Sequence, residues 1–183
     1  MMNWGKTQPD RIHLRTNCQQ GNRDYLERVK ITRIFISPDH NYVGHYGKPA
    51  GTNPIIEVDE IECVAGSGIK GDRYFDHKPD FKGQITFFEQ ETHDRLCEEF
   101  GIFDKGPDSY RRNVIVEGQD LNELIKQEFE IQGVRFVGTE EAKPCFWMNE
   151  ALCPGAEKFL MGKGGLRARI LTDGFLKNSL SFS

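Results

Sequence analysis

The chain has 183 residues, a mass of 21.0 kDa and a net charge of -4 from 24 basic and 28 acidic side chains. That length suits one domain, and 37% apolar residues with 19 glycines supply a normal core. The acidic balance argues against nucleic-acid binding, and no apolar run approaches the ~18 residues of a membrane span.

Met1 to Lys6 holds no apolar signal-peptide core. The five cysteines, at 18, 63, 97, 145 and 153, are an odd and scattered set. Such a set is not a disulfide framework, so the expectation is reduced thiols in a cytoplasmic protein. Residues 1–28 carry more positive than negative charge, few apolar residues and no sustained period. They read as a flexible extension, and residues 29–183 as a single domain.

Lys30 to Ile36 alternates and is β-branched, which predicts a strand ending at Ser37-Pro38. Residues 37–54 are rich in glycine and proline and predict a long loop. Ile55 to Val64 is a second strand region, ended by Ala65-Gly66-Ser67-Gly68. Gln84 to Phe88 is a short apolar strand leading into a helix. Phe88, Thr92, Leu96 and Phe100 mark one face of that helix, and Gly101 is its expected stop.

Asn113 to Glu117 predicts a strand, and Asp120 with Glu123 a capping box opening a short helix through Ile125. Phe129 to Thr139 alternates, with a tight turn at Gln132-Gly133. Phe146 to Met161 reads as helical, broken at Pro154-Gly155, with Pro154 as the first residue of the second piece. Leu166 to Leu171 is the last expected strand. Strands and helices do not alternate, so the expected fold is mainly β, an antiparallel, partly closed barrel with a few helices.

Gly66-Ser67-Gly68-Ile69-Lys70-Gly71 matches the glycine-rich dinucleotide pattern, but residues 72–79 make a poor helix. The pattern needs that helix, so a nucleotide fold is rejected. A looser reading keeps Lys70 and Arg73 as cations beside a flexible turn, able to hold an anion or simply solvated. His40, His45, His77 and His93 do not have the spacing of a structural zinc site. Arg111-Arg112 at a strand entrance is an anion site or an ordinary exposed pair. Cys145 follows Lys143-Pro144 and precedes the expected helix, where unpaired N–H groups favour a thiolate. The default for Cys63 and Cys97 is packing, and for Cys153 a resolving or packing role.

Taken in order, Gly71-Asp72-Arg73-Tyr74, Gln84-Ile85-Thr86 and Glu91 resemble successive motifs of the MOSC domain, the molybdenum-cofactor sulfurase C-terminal region. So do Arg112 to Val116 with Gly118, Leu121-Asn122 and Leu124, and Phe129-x-Ile131-x-Gly133-Val134. Ala142-x-Pro144-Cys145 and Gly164 to Leu171 complete a resemblance over roughly residues 30–172.

The resemblance implies a MOSC-type barrel built around Cys145, in a family that handles sulfur for metal–sulfur assembly or binds the molybdenum cofactor. Cys145 would then be the sulfur carrier or the molybdenum ligand. Lys70, Arg73, Arg112, Arg167 and Arg169 are the cations available for the phosphate of the molybdopterin, and Asn113 and Thr139 its hydrogen-bonding groups. That phosphate assignment rests on charge. One departure stands out: relatives with base-reductase activity tend to show histidine after Gly-Asp-Arg, and this chain has Tyr74.

Three readings follow. Cys145 carries sulfur as a persulfide, from a donor such as a cysteine desulfurase to the pterin cofactor or a metal–sulfur acceptor. Alternatively the chain binds the molybdenum cofactor and reduces N-hydroxylated compounds, or it is a non-catalytic cofactor-binding or delivery module.

Overall fold

The structure, a computed structural model, describes residues 29–41 and 50–179. The expected extension at 1–28 and the middle of the 37–54 loop lie outside them.

Seven strands form one sheet: β1 (Lys30–Ile36), β2 (Ile56–Glu57), β5 (Ile85–Glu89), β6 (Val114–Glu117), β7 (Glu128–Ile131), β8 (Val134–Glu141) and β9 (Leu166–Ile170). Their order across the sheet is β2-β1-β6-β5-β9-β8-β7. A second sheet has the order β10-β3-β4, from β3 (Glu60–Val64), β4 (Gly68–Ile69) and β10 (Gly174–Lys177). Among the described residues the pairing gives two sheets and no closed ring. Nor is it wholly antiparallel, because β5 and β6 run parallel. Between them the chain passes through helix α1 (Gln90–Phe100) and a 3-10 turn (Pro107–Tyr110), a crossover long enough to bring it back in the same direction.

The core lies on both faces of the large sheet. Ile34, Phe87, Phe129 and Phe136 pack with Ile61, Cys63, Ile69 and Leu176 of the small sheet. Phe35, Phe88 and Ile115 pack on the other side with Leu96, Tyr110, Met148, Leu152 and Leu160. Strand β5 is buried on both faces, which explains its unbroken apolar run. In β1 the pairing slips between Ile31 and Arg33. That irregularity breaks the simple alternation, and Ile31 and Ile34 share one core while Phe35 joins the other.

Several expectations hold. Gly101 ends α1 in the left-handed region (φ 65°), its N–H bonded to the Cys97 carbonyl. Gln132 and Gly133 turn the β7–β8 hairpin with φ of 50° and 81°. Others are corrected. The Ile55–Val64 region splits at Val58-Asp59, where the chain leaves the large sheet for the small one. Asp120 does cap, accepting from the Asn122 N–H, but the turn it opens is a 3-10 turn over Leu121–Leu124. The 146–161 segment forms α2 (Trp147–Ala151) and α3 (Ala156–Leu160), with Gly155 (φ 96°) capping α3 and Pro154 outside it. Finally, β10 follows β9 and pairs with β3, and of its side chains only Leu176 is buried.

Candidate functional site

Strand β8 ends with the Ala142 N–H bonded to the Gly165 carbonyl at 2.8 Å. Ala142 and Pro144 are buried, and Cys145 emerges exposed. Its carbonyl accepts from the Met148 N–H at 2.9 Å. The helix after it is shorter than the sequence suggests, five residues with Phe146 at its N-cap. So short a helix sums few peptide dipoles, and positive charge at this site comes mainly from side chains.

Arg112 is the best fixed of these. Its guanidinium donates to the carbonyls of Gly164 (3.1 Å), Tyr110 (2.9 Å) and Ala142 (2.7 Å). No carboxylate is among these partners. Burial pushes its pKa down to about 10, helped by the charges of Arg167 and Arg73 and opposed by Cys145 and Tyr74. Arg73 lies 3.3 Å from Asp72, donates to the Arg111 carbonyl at 3.2 Å and stacks over Tyr74. Arg111, with φ 54°, closes the Pro107–Tyr110 turn and donates to the Ser37 hydroxyl and the Asp39 carbonyl.

Beneath them, Asp72 and Asn113 tie three segments together. Asp72 accepts from the Ser37 and Tyr74 N–H groups. The Asn113 amide donates to Asp72 and to the Phe35 carbonyl, and its oxygen accepts from the Thr86 N–H and hydroxyl. The buried bracket orients the Gly71-Asp72-Arg73 loop against the start of β6.

An open cavity of about 210 Å³ unites Cys145 with Arg73, Arg112 and Arg167. His40, Asn41, Tyr74, Tyr110, Arg111, Lys143, Trp147 and Met148 complete its lining. Five lining side chains are full cations and none is a carboxylate. Burial and the Arg73 charge push the His40 pKa down, so its neutral form is favoured.

The other sequence candidates stand outside this lining. Lys70 is exposed and paired with Glu62 at 2.9 Å. Arg169 lies 3.6 Å from Asp80. Asn113 serves the bracket below, and the Thr139 hydroxyl is within 2.7 Å and 3.0 Å of the Lys82 and Arg167 carbonyls. Sequence reasoning did not place Arg111, Lys143 or His40 at the site. The adjacent Arg111-Arg112 pair was a signal for the first; His40 comes in through the fold of the loop after β1.

The thiols divide sharply. Cys63 is fully buried and burial pushes its pKa up to about 12. Burial also pushes up Cys97 and Cys153. Cys145 is the exposed thiol among the described residues, and Cys18 lies outside them. His93 is outside the lining but bonds the hydroxyl of Tyr110, which lines the cavity, at 3.0 Å. Gly66 and Gly68 turn β3 into β4, with no helix after them. Among the described residues no helix is long and apolar enough to cross a membrane.

No family model matches the chain, and no curated protein matches its sequence. Solved structures do. The YuaD protein from Bacillus subtilis superimposes with a TM-score of 0.62 at 17% identity, over 82% of this chain and 91% of that one. YiiM from Geobacillus stearothermophilus gives 0.57 at 14% identity, over 82% and 71%. A likeness at such low identity speaks to architecture, and by it the chain has the MOSC fold.

Proposed function

We propose that the protein is a sulfur carrier that holds sulfur as a persulfide on Cys145. One observation carries this reading. The exposed thiol stands on the wall of a cavity whose charged lining is wholly cationic, while Cys63 and Cys97 are buried and Cys153 is half-buried with its pKa pushed up. A thiolate is the nucleophile in sulfur exchange, and a terminal persulfide is an anion; surrounding cations stabilise both. Exposure leaves the terminal sulfur within reach of an acceptor, a metal–sulfur centre or a pterin cofactor. In the same reading the two sheets are the halves of a partly closed barrel, with this cavity at its edge. Incubation with a cysteine desulfurase and its substrate should place a persulfide-selective label on Cys145. Labelling confined to the other cysteines overturns the reading.

A second reading has its own support, the carbonyl-only pairing of Arg112 between Arg73 and Arg167. Arg112 is bonded to carbonyls rather than to a carboxylate, and with a thiol beside it the donor set fits a molybdenum cofactor. Cys145 would ligate the metal, and Arg73, Arg112 and Arg167 would hold the phosphate. The bound group would supply two-electron reduction, as for N-hydroxylated compounds. Protein from a cofactor-competent host should then contain molybdenum and release a fluorescent pterin on oxidation. The protein as a non-catalytic delivery module predicts instead that Cys145→Ala keeps all function.

A further inference from the structure

A persulfide carrier must be loaded, and the cavity itself limits what loads it. Its volume of about 210 Å³ is ample for a small oxyanion. Its charged wall is all cationic: Arg73, Arg111, Arg112, Lys143 and Arg167. Two carboxylates lie near without lining the cavity. Asp72, held in the buried bracket, pairs with Arg73 at 3.3 Å, and Glu140 pairs with Lys82 at 2.7 Å and more loosely with Arg167 at 3.8 Å. Arg112 is held by carbonyl dipoles, and the mutual repulsion of Arg73, Arg112 and Arg167 favours a small multivalent anion in the space they share. Guanidinium groups match the oxygens of a tetrahedral oxyanion in paired hydrogen bonds.

From this we propose that the cavity takes a sulfane-bearing oxyanion, thiosulfate, as a direct sulfur donor to Cys145. The inference rests on the persulfide reading above and names the donor for it. The Cys145 thiolate attacks the outer sulfur of thiosulfate and forms the new S–S bond. The S–S bond of thiosulfate breaks, its electron pair leaves on sulfite, and Cys145 keeps the outer sulfur as a persulfide anion. Charge is conserved across the step, and no separate oxidant or reductant takes part. The arginines bind the sulfonate oxygens of the donor and stabilise the charge of the departing sulfite, which is where such a displacement gains most from fixed cations. An acceptor thiolate or cyanide then removes the outer sulfur and restores the Cys145 thiolate.

The test uses the reduced full chain and thiosulfate. The expected result is a mass gain of one sulfur atom mapping to Cys145, release of one sulfite per chain, and thiocyanate production when cyanide is added. Arg167→Gln should raise the KM for thiosulfate by about tenfold, the worth of a charge-assisted hydrogen bond. Arg135→Gln, at an exposed ion pair with Glu128, should leave KM unchanged. Thermal denaturation of both variants checks that they fold. A parallel arm offers inorganic polysulfide, which has no sulfonate. Loading of Cys145 by polysulfide but not by thiosulfate overturns this inference and leaves the carrier reading standing. Loading by neither overturns both. An unchanged KM in Arg167→Gln overturns the role of the cationic wall.

Discussion

The Arg112 guanidinium donates a 2.7 Å hydrogen bond to the Ala142 carbonyl, three residues before Cys145. With its bond to the Gly164 carbonyl, it joins the start of β6 to the two loops that frame the cavity. One cation thus positions the segment carrying the thiol and lines the space in front of it. Arg112→Ala leaves the carbonyls of Tyr110, Ala142 and Gly164 without that partner. The expected cost is about 2–3 kcal/mol, read as a lower denaturation midpoint. An unchanged midpoint would show that the bonds are incidental.

Gly164 tests the same contact from the other side. A Cβ there would meet the Ala142 carbonyl and come within 2.8 Å of the Pro144 ring. Both belong to the segment that delivers Cys145, so Gly164→Ala must displace it. We expect a loss of about 1–3 kcal/mol and slower sulfur loading of Cys145. Normal loading and stability together would mean that the loop yields freely.

Two thiol substitutions should behave oppositely. Cys145→Ala, at an exposed position, is expected to change stability by no more than about 0.5 kcal/mol while abolishing persulfide formation. Cys63→Ser puts a hydroxyl into an apolar core and should cost about 1–3 kcal/mol without touching the cavity. Denaturation curves beside a persulfide assay separate the two. Loss of stability in Cys145→Ala would argue for a packing role.

Burial lowers the pKa of His93 from its ordinary value of 6.5. His40 is lowered too. The unfolded chain therefore binds more protons than the folded one around and just below pH 6.5. Stability rises with pH through that window and falls on acidification until the folded histidines also titrate. His93→Gln keeps a polar partner for Tyr110 and removes one titrating group, so its pH–stability slope there should be shallower. An identical slope would exclude His93 as a source.

The cationic lining predicts stabilisation by oxyanions. Inorganic sulfate at ~100 times its dissociation constant should add about 2.7 kcal/mol through binding to the folded state alone. Chloride at equal ionic strength should do much less. Equal effects of the two salts would indicate general screening instead.

Much of the secondary structure was legible in the chain because its signals are local. The alternation of β1 and of the β7–β8 hairpin, the four-residue period of α1 and the stop at Gly101 each depend on neighbours a few positions apart. Strand β10 was not legible, since Phe175 is exposed and only Leu176 enters the core. The split of β2 from β3 was hidden as well, because a continuous β-rich stretch does not reveal which sheet each half joins. The parallel β5–β6 pair depends on how α1 packs, which no local pattern records.

At the site, the place of Cys145 after Lys143-Pro144 and before an expected helix, together with the family resemblance, pointed to that thiol, and charge then offered the arginines. Tertiary structure decided which cations line the cavity. It sent Lys70 to Glu62 and Arg169 toward Asp80, put Asn113 and Thr139 to work on the protein's own polar groups, and added Arg111, Lys143 and His40. The physical reason is range. A charge in the sequence has no partner until strands far apart in the chain pair, and pairing determines whether a carboxylate or an open cavity stands in front of it.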